Sequence, residues 1–398
     1  MGMVSFAVAL MVTLVIMSHC IYGREFYDDQ EIKVQQLLKQ LNKPALKSIK
    51  SEDGDIIDCV PLTSQPAFDN PLLKNHTIQM RPSFIPESDS TYTNKKAEAI
   101  TQVWHKNGEY CPENTIPIRR TKKEDILRAE SIERFGKKTP PGILEVTASG
   151  HHEYAIAGAT GGKFFGTKAS INIWKPSVAH NDEFSLAQTW LVSGDGGSLN
   201  TIEAGWQVYP QIYGHNNPTL FIYWTRDGYQ TTGCYNLACS GFVQTNKQYS
   251  VGAAYTTFSQ YNGIQYALNL LIWKDKPTGN WWLRINEDVY MGYWPGSLFT
   301  SLGSGATRNE WGGEVYVRDG VHSTTDMGSG HFAVEGYGKA SYIRNLKTVD
   351  ATNTLRDPAG LYSFATNSNC YSYQKGSNGT TFGSHFYYGG PGKNGNCP

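Results

Sequence analysis

Two glutamates stand at equivalent places in two strand-like runs of this chain. In Asn200-Thr-Ile-Glu-Ala-Gly-Trp-Gln-Val-Tyr209 the residues alternate in character: Asn200, Ile202, Ala204, Trp206 and Val208 point to one face, and Thr201, Glu203, Gly205, Gln207 and Tyr209 to the other. Arg308-Asn-Glu-Trp-Gly-Gly-Glu-Val-Tyr-Val317 repeats the construction, with Glu310, Gly312, Glu314 and Tyr316 on one face and Trp311, Val315 and Val317 on the other. Each run sets a carboxylate among glycine and tyrosine on the face away from the expected core, and assigns its tryptophan to packing. If both strands lie in one sheet, the carboxylates of Glu203 and Glu314 can meet. Paired carboxylates repel, so one holds its proton well above the usual pKa while the other stays ionised. Such a pair can split water, the anion taking a proton and the acid feeding a carbonyl oxygen or leaving group. The same pattern also fits two solvated surface glutamates, and Glu183, Asp195, Asp227, Glu287, Asp288, Asp326 and Glu335 compete on similar terms.

Other chemistries fit less well. There is no G-x-S-x-G nucleophile elbow; Gly303-Ser-Gly305 and Gly328-Ser-Gly330 read as turns. His151-His-Glu153 is not H-E-x-x-H and reads as a flexible surface stretch. Gly158-Ala-Thr-Gly-Gly-Lys163 departs from a phosphate loop, with Ala157 where the first glycine belongs and Phe164 in the Ser/Thr place. Cys234-x4-Cys239 lacks the second pair a zinc site needs, so neither metal nor cofactor is expected.

The elements that must position the glutamates are strands. The 398 residues include 41 glycines, 24 tyrosines and 10 tryptophans, which favours short strands and tight turns. From about Glu145 onward alternating runs recur. Phe184, Leu186, Trp190 and Val192 oppose Ser185, Thr189 and Ser193; Ile264, Tyr266, Leu268, Leu270 and Ile272 oppose Gln265 and Asn269. The spacing predicts a mainly β protein whose body is an antiparallel, jelly-roll-like sandwich.

The N-terminal part differs. An amphipathic helix opening at Asp28 carries Val34, Leu37, Leu38 and Leu41 on one stripe. Residues 43–80 are Pro-punctuated and read as an irregular wrap. Thr121-Lys-Lys-Glu124 forms a capping box for a helix through Ile126, Leu127, Ile132 and Phe135, stopped by Gly136. Arg119, Arg120, Lys122 and Lys123 read as a solvated face or as partners for acids on the other domain. Lys137-Lys-Thr-Pro-Pro-Gly142 is the best boundary, giving an N-terminal part over 24–144 and a β body over 145–398.

The apolar run Val4–Met17 reads as a secretory signal ending near Gly23, with an uncleaved anchor as the alternative. Later runs are too short to span a bilayer. The 35 basic and 35 acidic residues balance, so neither nucleic acid nor an anionic membrane is an expected partner, and a monomer is expected. Six cysteines beyond Cys20 fall in three neighbourhoods, which predicts Cys59–Cys111, Cys234–Cys239 and Cys370–Cys397. Asn75 and Asn378 head glycosylation sequons.

Longer words in the chain resemble the plant neprosin family. They are Gln65-Pro-Ala-Phe-Asp-Asn-Pro-Leu-Leu-Lys-Asn75, Gln79-Met-Arg-Pro-Ser83 and Pro117-Ile-Arg-Arg120; then Ile202-Glu-Ala-Gly-Trp-Gln207, Tyr223-Trp-Thr225 and Thr232-Gly-Cys-Tyr-Asn236; then Trp311-Gly-Gly-Glu314 and Met327-Gly-Ser-Gly-His-Phe332. The resemblance implies a secreted zymogen, exported to the cell exterior, wall or vacuole. Its N-terminal activation domain would act as an intramolecular inhibitor of a β-sandwich glutamic peptidase that cuts proline-containing peptides after proline at acid pH. It also implies Glu203 and Glu314 as the catalytic pair. Gln207 is then a candidate oxyanion donor or an ordinary strand-face amide, and Tyr209 and Tyr316 candidate walls for a proline ring. The rival reading is a non-catalytic, cell-wall carbohydrate-binding sandwich in which the glutamates accept from sugar hydroxyls and the tryptophans form a platform.

Overall fold

The computed structural model describes residues 29–88, 100–138, 150–318, 322–377 and 382–398. The signal-like run, the sequon at Asn378 and most of the 137–142 boundary lie outside them.

In the N-terminal part a helix, α1 (29–41), turns Val34 and Leu41 inward, as its stripe predicts. The segment after it is more regular than its prolines imply. Strands β1 (Lys47–Lys50) and β2 (Ile56–Pro61) form a hairpin, three 3-10 turns cover Leu62–Ser64, Pro66–Asp69 and Pro71–Leu73, and a short strand β3 (Glu87–Ser88) follows. Strand β4 (Thr115–Arg119) completes a three-stranded sheet of order β1-β2-β4. The Cys59–Cys111 disulfide ties β2 to the segment before β4. Proline here starts the 3-10 turns, where its missing N–H costs nothing.

The capping-box helix is cut short. Helix α2 spans only Lys123–Leu127, and a separate 3-10 turn covers Ile132–Arg134. The capping acid is Asp125, which accepts from Lys122 N at 2.9 Å, while Thr121 N is taken by Asn42 Oδ1. The basic cluster pairs mainly with acids of its own domain: Arg119 with Asp55 and Asp125, Arg120 with Asp58, and Lys123 with Glu31.

The body is a pair of sheets, as alternation predicts. Its strands are β5 (Gly150–Ala159), β6 (Gly166–Asn172), β7 (Phe184–Ser193), β8 (Asn200–Val208), β9 (Thr219–Thr225), β10 (Val243–Gln244), β11 (Ala267–Lys274), β12 (Trp281–Ile285), β13 (Val289–Trp294), β14 (Arg308–Arg318), β15 (Ser341–Val349), β16 (Thr354–Arg356), β17 (Tyr362–Ala365), β18 (Ser372–Lys375) and β19 (Phe386–Gly389). A short helix, α3 (Pro210–Tyr213), follows β8. One sheet has the order β17-β5-β14-β7-β8-β9; the other runs β10-β13-β12-β11-β6-β15-β16-β3, with β19 pairing β15 and β18. The strand predicted from Ile264 begins only at Ala267, and Ile264 itself is exposed.

Between the sheets lies the main core. Trp206 and Trp311 are fully buried there and send their indole N–H groups across to the second sheet, to Asn172 O at 2.8 Å and Thr167 Oγ1 at 2.9 Å. The three predicted disulfides are all formed. Among the described residues no helix is long and apolar enough to cross a membrane.

The N-terminal part does wrap the body. Parallel pairing of β3 with β16 extends the second sheet, and Trp273 Nε1 donates to Phe84 O at 3.0 Å. Asp275, fully buried, accepts from Gln79 Nε2 at 2.6 Å, Ser83 Oγ at 3.0 Å and Ser83 N at 3.2 Å. Asp275→Ala orphans these donors and is expected to weaken the wrap by about 1–3 kcal/mol. Hydrogen exchange should then accelerate at residues 79–84 and leave β7 and β8 protected; unchanged exchange at 79–84 refutes the anchor.

Candidate active site

The antiparallel register of the first sheet puts both glutamates on one face. Glu203 on β8 sits opposite Trp190 on β7, which sits opposite Glu310 on β14. Four positions along, Gln207, Leu186 and Glu314 form the corresponding row, and Gly205, Gln188 and Gly312 form the row midway. Side chains alternate with period two, so all three rows face the same way, opposite to Trp206 and Trp311. Glu203 and Glu314 therefore lie diagonally across β7. This face is buried too: Phe184, Leu186 and Trp190 of β7 and Phe221 and Tyr223 of β9 form a second apolar cluster with Tyr235 from the loop after β9, and Tyr229 packs against it.

Each carboxylate has its own donors. Glu203, at 0% exposure, accepts from Tyr229 OH at 2.8 Å and Thr201 Oγ1 at 2.9 Å, and is ion-paired through Oε2 with Lys138. Glu314, at 2%, accepts from His152 Nδ1 at 2.7 Å, from Gln188 Nε2 at 3.1 Å and from the Tyr154 hydroxyl. Burial keeps the Tyr229 and Tyr154 hydroxyls protonated, and the neighbouring carboxylates reinforce this, so both remain donors. Tyr229 has a left-handed φ of 65°, unusual for a large side chain. Its turn is gripped by Asp227, which accepts from Thr231 N and Thr232 N, both at 3.0 Å. Burial works against the Asp227 charge, but the Thr231, Thr232 and Thr225 donors outweigh it and hold its pKa at about 2.

Lys138 comes from the N-terminal part. Its backbone N–H bonds Tyr223 OH at 3.2 Å, and Gly136 O accepts from Tyr235 N at 2.7 Å. Gly136 is required there, since a Cβ would stand 2.6 Å from Ala238 Cβ. The ammonium lies 5.1, 6.0 and 5.8 Å from the ring centres of Tyr223, Tyr229 and Tyr235. Burial opposes its charge, but the Glu203 and Glu314 carboxylates outweigh burial and raise its pKa above the ordinary lysine value. Burial also opposes the Glu314 charge, and Lys138 with His152 outweighs it, so the Glu314 pKa is lowered. The expectation of a proton held abnormally tightly thus fails at Glu314. The Lys138 ammonium thus touches Glu203 and favours the charge on Glu314, which lies on the same face.

Of the other predicted residues, Tyr209 and Tyr316 flank Phe184, with ring centres 5.2 and 5.9 Å away, and line a cavity shared with His152 and Lys138. Gln207 is engaged elsewhere: its Oε1 accepts from Tyr213 OH at 3.3 Å and its Nε2 reaches Tyr235 OH at 3.5 Å. Asn75 is exposed. The stretch His151–Glu153 is strand rather than flexible surface, and its two histidines part ways as β residues must. His152 goes to Glu314, while His151 Nε2 and His322 Nδ1 bond the buried Glu153 Oε1 at 3.0 and 2.7 Å. Asn367 Nδ2 donates to His322 Nε2 at 3.2 Å, which leaves the His322 proton on Nδ1 and makes this a hydrogen-bonded trio. Lys138, His152, Tyr154, Gln188 and Tyr229 also belong to the site, and strand alternation alone does not single them out. A polar residue interrupting the apolar stripe of 184–192 was the available signal for Gln188.

Residues 181–391 match the family described as Neprosin, and residues 48–158 match the Neprosin activation peptide. The chain belongs to the neprosin family. It is accordingly a glutamic peptidase made with an activation peptide. Among solved structures it is similar to scytalido-glutamic peptidase with a peptide-based transition-state analogue, at 9% identity and a TM-score of 0.32, covering 61% of this chain and 98% of that one. A second structure of scytalido-glutamic peptidase with a transition-state analogue inhibitor gives 10%, 0.33, 60% and 98%. The eqolisin-family peptidase SCP-B with the tripeptide Ala-Ile-His gives 9%, 0.32, 61% and 98%.

The Lys138 clasp has a defined pH window. A lowered Glu314 pKa stabilises the clasp above the ordinary value of 4.5 and ceases to do so as pH falls, while the raised Lys138 pKa stabilises it below 10.5. Acid is therefore the physiological side on which it opens. Amide exchange at residues 134–138, taken relative to the intrinsic rate of an unprotected amide at the same pH, is expected to be slow at about pH 7 and fast at about pH 3. In Lys138→Met it should be fast at both, since leaving a buried charge unpaired costs about 3–5 kcal/mol. Protection independent of pH contradicts the clasp.

Proposed function

We propose that this protein is a secreted, acid-acting endopeptidase that hydrolyses peptide bonds on the carboxyl side of proline, with Glu203 and Glu314 as its catalytic pair. The observation that carries the reading is two buried glutamates on one face of a sheet, one of them ion-paired with a lysine of the activation region. The segment ending at Lys138 occupies the space where a substrate would meet them, so the N-terminal part inhibits its own catalytic body. A monomer needs no further subunit to complete this arrangement.

Once Lys138 leaves, the two carboxylates lose their shared cation, and repulsion in a desolvated site favours one proton between them. Glu314, with His152, Gln188 and Tyr154 still donating to it, is the better-stabilised anion and acts as base on water. Glu203 carries the proton and gives it to the scissile carbonyl oxygen; Glu314 then passes the proton it took from water to the leaving nitrogen, and Glu203 recovers its own from the tetrahedral hydroxyl as the C–N bond breaks and the carbonyl re-forms. Gln207, bound to tyrosines, is not assigned to the oxyanion. Tyr209 and Tyr316 offer aromatic faces beside Glu314 for a flat proline ring.

The full-length protein, incubated near pH 3 with a proline-containing peptide, should cut it after proline. Glu203→Gln and Glu314→Gln should each lower kcat by about 100-fold or more, the scale of acid–base catalysis. Equal turnover by all three proteins sinks the pair, and cleavage away from proline sinks the specificity.

A further inference from the structure

Gln188 is a buried amide with one half engaged and the other free. It lies on β7 at 0% exposure, in the row between those of Glu203 and Glu314. Its Nε2 donates to Glu314 Oε2 at 3.1 Å, whereas its Oε1 is buried without a hydrogen-bond partner among the described residues. The orientation is fixed chemically. An ionised Glu314 offers only acceptors, so the amide must present its NH2 there and its oxygen elsewhere. An unpaired buried carbonyl oxygen costs about 1–3 kcal/mol, so its retention calls for a partner.

The surroundings of Gln188 favour a small one. Both lateral neighbours on the sheet are glycines, Gly205 and Gly312. At Gly205 a Cβ would fall 2.0 Å from Ala187 O and 2.7 Å from Gln188 Cα, so that flank is closed to side chains. Its diagonal neighbours are Glu203, Gln207, Glu310 and Glu314; Gln207 is held by Tyr213 and Tyr235 and Glu310 by Tyr362 and Arg308, so neither engages the Gln188 oxygen.

We infer that Gln188 is a further catalytic residue, holding the attacking water through Oε1 while Nε2 fixes Glu314. This rests on the glutamate pair being catalytic. Water donates one hydrogen to Glu314 and the other to Gln188 Oε1, which turns an oxygen lone pair toward the substrate carbonyl carbon. In the step itself the first O–H bond breaks, its proton passes to Glu314 and the new C–O bond forms. The carbonyl π pair moves onto oxygen and takes the proton of Glu203. Gln188 gains and loses no proton, so its contribution is geometric and independent of pH.

Acid-activated wild type, Gln188→Leu and Gln188→Glu are compared on one proline-containing peptide, with thermal unfolding as the control for folding. Gln188→Leu removes both polar atoms at similar volume and should lower kcat about 100-fold, with KM within about twofold. Gln188→Glu keeps the acceptor and is nearly isosteric, so it carries the test even if the leucine variant does not fold. It should restore much of kcat at the acid end only, because its added carboxyl must be protonated to donate to Glu314. An unshifted pH profile with kcat within about threefold of wild type in Gln188→Glu overturns the role and leaves the glutamate pair standing. An inactive wild type takes both down together.

Discussion

A lysine and a glutamate buried together are the constraint on which this structure turns. Removing an ammonium and a carboxylate from water is costly enough that their mutual attraction repays it only with near-ideal geometry and satisfied neighbours. Here the neighbours are built in. Glu203 has Tyr229 and Thr201 on its second oxygen, and Lys138 has three tyrosine rings around it. The roof of tyrosines is therefore electrostatic as well as apolar. It excludes water from the face of the sheet while its rings and hydroxyls replace part of what water supplied.

That requirement explains features far from either charge. Tyr229 must reach Glu203 from a turn, which demands its left-handed backbone and the Asp227 grip. Tyr235 must sit under Gly136, and the Cys234–Cys239 bridge closes the loop that carries it. The sheet must also be buried on both faces, with tryptophans toward its partner sheet and carboxylates toward the roof. Such a strand has to obey two packing problems at once, and small residues between the large ones, such as Gly205 and Ala204, are what let it.

The period-two pattern was enough to recover the sandwich, the orientation of Trp206 and Trp311 and the common face of Glu203 and Glu314, because alternation is a local property of one strand. Cysteine neighbourhoods likewise gave the disulfides, since short loops dominate. What escaped depends on long-range partners. Lys138 looked like half of a dibasic linker; only the tertiary fold shows its buried counter-charge. The helix expected from Thr121 failed because Asp125, shared among Arg119, Arg128 and the Lys122 amide, ends the local logic of a capping box after five residues. His151 and His152 looked loose because their carboxylate partners come from different faces of the strand.

One cation serving two acids also links latency to chemistry. In the proposed mechanism the pair must hold a single proton, the state that mutual repulsion favours once the lysine is gone. While Lys138 is present, Glu314 is favoured as the anion and Glu203 is tied up in the ion pair, which is the wrong state for catalysis and the right one for retaining the lysine. Protonating either carboxylate weakens the clasp and simultaneously creates the acid that the reaction needs. Release and competence are then two consequences of one protonation, so no separate trigger has to be evolved for each. The wrap anchored at Asp275 lies on the other sheet and feels none of this directly, so a tether stays in place when Lys138 lets go.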